Sequence, residues 1–170
     1  MTKIILIGGT AGTGKSSLSI GLCSKYKIPQ KIATGFIREI IKNDNDVLNS
    51  YTYSLSENKG YKHLLEQTKL LKKAINLCID RAFREGTSLI IEGTHVLPWI
   101  INNKHVTNSF MLYVEDKHLH KKMIEGKSHS KRVVTDEEFD NIRDIQKKLI
   151  VLSKKYNIPL VESTKEVIKL

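Results

Sequence analysis

The chain has 170 residues, 28 of them Lys or Arg and 18 Asp or Glu, for a formal charge of +10 at neutral pH. With 40% apolar and 27% charged residues, it fits one globular domain over residues 1–170 whose core needs no staples. A disordered chain, a collagen and a disulfide scaffold are excluded, and no apolar run nears the ~18 residues of a membrane span.

Residues 3–7 (KIILI) form a short apolar run ending in a glycine cluster, which suits a strand buried on both faces of a parallel sheet. That run is too short for a signal-peptide core. From Lys15 the spacing of Leu18, Leu22 and Tyr26 is helical, and Pro29 stops it. Residues 31–34 predict a weak strand, 36–41 a short helix, and the polar stretch 42–59 a loop. A long amphipathic helix follows over 61–85, with Gly86 as its left-handed terminator. Residues 88–93 (SLIIEG) predict a second buried strand, 98–101 a connector, 109–114 a strand and 116–126 a helix. Residues 127–134 are basic and loop-like. A Thr135–Glu138 capping box opens a helix over 135–156, a last strand covers 158–161, and 165–170 can form a helical turn. Strands alternating with helices predict an α/β fold with a parallel sheet. Cys23 and Cys78 fall in helical patterns, as small core residues of a reduced, cytoplasmic protein.

Only five of the basic residues are Arg. The charge suits phosphorylated metabolites as well as nucleic acid.

Residues 9–16, Gly-Thr-Ala-Gly-Thr-Gly-Lys-Ser, match G-x-x-x-x-G-K-[ST] between a predicted strand and a predicted helix. Gly9, Gly12 and Gly14 let backbone N–H groups turn towards phosphate oxygens, with Thr10, Ala11, Thr13 and Ser17 completing the loop. The helix from Lys15 points its positive end at the same place. The Lys15 ammonium suits the β- and γ-phosphates of ATP, and the Ser16 hydroxyl suits Mg²⁺. Glu92, ending its strand, is the candidate second metal residue. Gly93 and His95 beside it suggest close approach of a ligand. His118, His120 and His129 lack a Cys or carboxylate that would complete a zinc set. Lys121, Lys122, Lys127, Lys131 and Arg132 fit a basic lid over about 118–135, with Arg132 its best phosphate ligand. Arg143 faces either the same phosphates or Asp140 and Asp144. Arg38 sits where an acceptor can be held.

Residues 8–17, 33–40, 80–98 and 139–149 together resemble the archaeal 2-phosphoglycerate kinase family, in the same order along most of the chain. The resemblance implies a three-layer P-loop fold with a five-stranded parallel sheet, a mobile lid and ATP–Mg²⁺ as donor. It also implies a small anionic acceptor, held near Arg38, Gly35 and His95. Gly35 stands where that family has Asp. The expected chemistry is phosphoryl transfer, with Lys15, Arg132, Arg143 and Glu92 as catalytic residues. A polynucleotide kinase or a non-catalytic ATP-binding switch on the same fold are the alternatives.

Overall fold

A computed structural model of the chain describes residues 2–55, 59–126 and 133–165. Five strands form one wholly parallel sheet: β1 (Ile4–Gly9), β2 (Gln30–Ala33), β3 (Leu89–Glu92), β4 (Asn108–Tyr113) and β5 (Leu160–Glu162), in the order β2-β3-β1-β4-β5. The helices are α1 (Lys15–Tyr26), α2 (Thr34–Ile41), α3 (Lys59–Arg84), α4 (Pro98–Ile101), α5 (Lys117–Ile124) and α6 (Asp136–Lys155). This is the predicted three-layer architecture, with helices on both faces of the sheet.

The apolar run in β1 is continuous because both of its faces are covered. Ile4 and Leu6 face one layer, with Leu89 and Ile91 of β3 and Leu71, Ile75 and Ile79 of α3. Ile5 and Ile7 face the other, with Ile90, Phe110, Leu112 and Val161, under Leu22 of α1. Cys78 packs against the first layer and Cys23 against the second.

Several predicted elements shift, among them the last strand, expected over 158–161 and found at Leu160–Glu162. The second strand runs one residue earlier than expected, and α2 starts at Thr34 rather than at Phe36. Ile37 of α2, buried in the first layer, fixes the helix there despite the poor helix propensity of Gly35. The expected loop at 42–59 contains three 3-10 turns, at Lys42–Asp44, Asp46–Leu48 and Thr52–Ser54. Leu48, fully buried in the first layer, anchors them. The connector at 98–101 is a one-turn helix with Pro98 in its first turn. The Thr135–Glu138 capping box is present in full. The expected turn at 165–170 lies beyond the described residues after Lys165. Among the described residues, no helix is long and apolar enough to cross a membrane.

Parallel pairing brings the carboxyl ends of the strands to one edge. Ile7 of β1 and Ala33 of β2 both pair with Glu92 of β3. That register places the glycine loop, Glu92 and the start of α2 side by side, at the edge where open α/β sheets bind ligands. Gly93 turns the chain there with φ +151°, and a Cβ on it would lie 1.8 Å from Thr34 Oγ1. A Gly93→Ala substitution should therefore destabilise the protein by about 2 kcal/mol or more, measured by urea unfolding. An unchanged midpoint would show that Gly93 and Thr34 do not pack as described.

Candidate active site

The glycine loop wraps a cavity of about 660 Å³. All three of its expected turning positions, Gly9, Gly12 and Gly14, take positive φ, and α1 begins directly after Gly14. Thr13 Oγ1 donates to Thr10 O at 2.9 Å, closing the loop on itself. Lys15 is buried, and its Nζ donates to Thr10 O at 2.5 Å. The Thr10 hydroxyl is buried with no hydrogen-bond partner among the described residues. Thr10, Ala11, Gly12, Gly14, Lys15, Ser16 and Ser17 all line the cavity.

Ser16 Oγ donates to Glu92 Oε1 at 2.8 Å. Glu92 is only 4% exposed, so a hydroxyl and a carboxylate oxygen meet on the cavity wall beside the loop. Two hard oxygen donors at this spot fit Mg²⁺. Lys31 Nζ lies 3.8 Å from the same Glu92 oxygen. Sequence reasoning missed Lys31 as a cavity residue, because β2 read as a weak strand and nothing marked which face Lys31 takes.

The far side of the cavity is built by α2 and the 3-10 segment. Arg38 lines it, is 7% exposed, and donates from Nη2 to Glu39 Oε1 at 2.9 Å. Its guanidinium lies 4.6 Å from the centre of the Tyr51 ring, and Tyr51 stacks on Tyr53 at 5.3 Å. Arg38 Nε is buried with no partner among the described residues. Arg38 is not a helix-surface residue, because α2 turns its guanidinium inward. Gly35 also lines the cavity, and a Cβ there would meet no atom within 4 Å.

His95 reaches the same wall but is engaged in a network. Its Nε2–H donates to Gln67 Oε1 at 2.8 Å, and its Nδ1 faces Thr34 Oγ1 at 3.4 Å. Gln67, fully buried on α3, donates to Val47 O at 2.7 Å and to Ser50 O at 2.9 Å. One amide thus ties the 3-10 segment to α3 and to His95. Gln67 had a signal in the sequence: with Thr68 it interrupts the apolar stripe of Leu64, Leu71 and Ile75, where a polar residue needs a buried partner.

Arg143 does not face the cavity and pairs with neither expected carboxylate. Its Nη1 donates to Val114 O at 2.6 Å and its Nη2 to Glu115 O at 3.0 Å. Asp140 pairs instead with Lys117, and Asp144 with Lys147. Two carbonyls at the end of β4 match the guanidinium fork, which holds it there. Arg132, Lys127, Lys131 and His129 of the expected lid lie outside the described residues. Of the rest of that stretch, Lys121 pairs with Asp136 at 2.5 Å on the surface, and Met123 lines the cavity. Ser163, just after β5, donates to Thr13 O at 2.7 Å and so braces the loop from behind.

Two histidines stay neutral far below their usual range. Burial, with Arg38 and Lys15 nearby, lowers His95 to about 3. Burial likewise lowers His120 to about 4, against the opposing hydrogen bond to Ala11, with Arg143 and Lys15 adding to the lowering. Both native values lie below the unfolded value of about 6.5, so between those limits the unfolded chain binds more protons. Stability is therefore complete above about pH 6.5 and falls on acidification, by about 1.4 kcal/mol per pH unit for each histidine. Urea midpoints measured from pH 7 to pH 5 should decline, and His95→Gln should reduce the slope. A slope the same in both proteins would mean that His95 titrates normally.

No family model matches the sequence. The chain is 31% identical over 95% of its length to the 2-phosphoglycerate kinase of Methanocaldococcus jannaschii. It is 31% identical over 94% to the enzyme of that name from Pyrococcus horikoshii. It spans 59% of the length of each of these relatives. Among solved structures, shikimate kinase from Acinetobacter baumannii in complex with shikimate superposes with a TM-score of 0.61 at 12% identity, over 98% of this chain and 86% of that one. The fold is that of the P-loop kinases, and nearly the whole chain is similar in sequence to archaeal 2-phosphoglycerate kinases.

Proposed function

We propose that the protein is a kinase that transfers the terminal phosphoryl group of ATP to a hydroxyl of a small anionic acceptor, and that 2-phosphoglycerate is the first acceptor to test. The observation that carries this reading is the pairing of two functions in one cavity. The glycine loop with Lys15 and Ser16–Glu92 forms one end, and the buried Arg38 forms the other. The named activity of the relatives supports it.

Lys15 and the loop N–H groups neutralise the β- and γ-phosphates. Ser16 and Glu92 hold Mg²⁺, whose chemistry is to offset charge on the phosphate oxygens. Lys31, beside Glu92, adds positive charge on the acceptor side. Arg38 takes the acceptor's carboxylate or phosphate, and its packing on Tyr51 keeps the guanidinium plane fixed. Arg132 is proposed as the arginine that covers the transferring group. His95 holds the acceptor wall in place through Gln67, with both ring nitrogens taken up by Gln67 and Thr34. A loose phosphoryl-transfer transition state asks mainly for position and charge, so the lack of a carboxylate at Gly35 is compatible with turnover. The open space over Gly35 is room for the acceptor. The protein works in the cytoplasm, where ATP and such acceptors are found.

Mg²⁺-dependent ATP consumption against a panel of phosphorylated and carboxylated acceptors, nucleoside monophosphates and short RNA tests the reading. Lys15→Ala should lower turnover by at least about 100-fold. Arg38→Ala should raise the acceptor KM by about 10–100-fold, the loss of a charge-assisted hydrogen bond, and leave the ATP KM unchanged. Turnover that survives Lys15→Ala, or an ATP KM that moves with Arg38, would reject these assignments. Tight ATP binding without turnover on any acceptor would favour a nucleotide-gated binding protein.

A further inference from the structure

His120 and Arg143 lie off the cavity, yet together they reach the phosphate loop. His120 of α5 is fully buried, with its ring edge against Phe139 of α6. Its Nε2 lies 2.8 Å from Ala11 O. A carbonyl only accepts, so the proton sits on Nε2 and Nδ1 carries the lone pair. Arg143 Nη1, always a donor, faces that Nδ1 at 3.4 Å. Arg143 is fixed in turn by Val114 O and Glu115 O. Gln146 clasps the Val114 residue from both sides, accepting from its N–H at 3.0 Å and donating to its carbonyl at 2.9 Å. The chain of contacts therefore runs from the end of β4, through Arg143 and His120, to the loop between β1 and α1.

The direction of that last contact matters. The carbonyl of Ala11 and the N–H of Gly12 belong to one planar trans peptide and point opposite ways. A carbonyl held towards His120 turns the Gly12 N–H away from it. Gly12 itself has φ +74°, and a Cβ on it would lie 2.3 Å from Ile124 Cγ1. So α5 grips two consecutive loop residues, one by a hydrogen bond and the next by close packing.

We propose that His120 is a positioning residue of the phosphate loop. It orients the Ala11–Gly12 peptide so that the Gly12 N–H faces the bound phosphates, and Arg143 fixes the tautomer that does so. The proposal rests on the phosphate-binding part of the kinase reading and on no particular acceptor.

The test uses inorganic tripolyphosphate with Mg²⁺ as the probe, titrated calorimetrically into the wild-type chain, His120→Phe and His120→Gln. Phe keeps the flat ring and its packing but has no donor. Gln supplies an amide N–H close to the position of Nε2. Affinity should fall about 10-fold in His120→Phe, the worth of one misdirected hydrogen bond, and return to within about 3-fold of wild type in His120→Gln. Equal affinity in the Phe variant and wild type overturns the proposal. So does equal weakening in Phe and Gln, which would mean that only the ring's packing matters. A wild-type chain that does not bind tripolyphosphate overturns it as well, together with the phosphate-loop assignment. Turnover of ATP is measured separately. The expected Phe–Gln pattern without turnover on any acceptor would leave the positioning role standing and remove the kinase reading.

Discussion

Burial of β1 on both faces is the constraint from which the site follows. Ile4, Ile5, Leu6 and Ile7 are all removed from water, so the backbone polar groups of that strand must pair within the sheet. β3 and β4 supply the partners. With both faces apolar, alternation of side chains does not choose the register, as it does in a half-exposed sheet. The polar ends choose it. In the observed register Glu92 stands beside Ile7 and reaches Ser16. A slip of one residue would drive this carboxylate towards an apolar layer without its partners, a cost of several kcal/mol. The residue that suits a metal at the phosphate end thus also helps to align the sheet.

The described arginines separate by role more clearly than the lysines do. Arg38 is buried against a tyrosine in the cavity. Arg143 spans two carbonyls at once, which an ammonium on a flexible stem does poorly. Arg81, in the last turn of α3, forms an exposed pair with Glu85, a contact worth little. The described lysines that form ion pairs do so mostly on the exposed surface, as in Lys117–Asp140 and Lys147–Asp144. The strong positive balance is therefore largely a solvated surface, and among the described residues the cavity is lined by three cations set at defined places: Lys15, Lys31 and Arg38.

Much of this architecture is legible in the sequence. The buried runs at 4–7 and 89–91, the glycine loop and the capping box at Thr135 each state their geometry locally, because strand period, turn chemistry and capping act over a few residues. The loop and Glu92 come directly from that reading. What escaped depends on long-range packing. The segment 42–55 is polar and reads as a loop, yet Leu48 and Thr52 are buried and its tyrosines face the cavity. His120 lies in a stretch of lysines that reads as a basic lid, although its spacing of four from Ile124 places the two on one helix face. Arg143 offered two partners by spacing and took neither, since the carbonyls it binds belong to a strand end some 28 residues away.

The Gln67 amide gives the Arg38 side of the cavity a particular character. By holding the carbonyls of Val47 and Ser50, it attaches the wall that carries Tyr51 and Tyr53 to the middle of the longest helix rather than to the sheet. Opening that wall means breaking a buried network, so it shares in the cooperativity of the core instead of fraying as surface loops do. A ligand entering here meets a surface already shaped, and little of its binding energy is spent on ordering the protein. Selectivity on this side then comes from fit to a fixed outline.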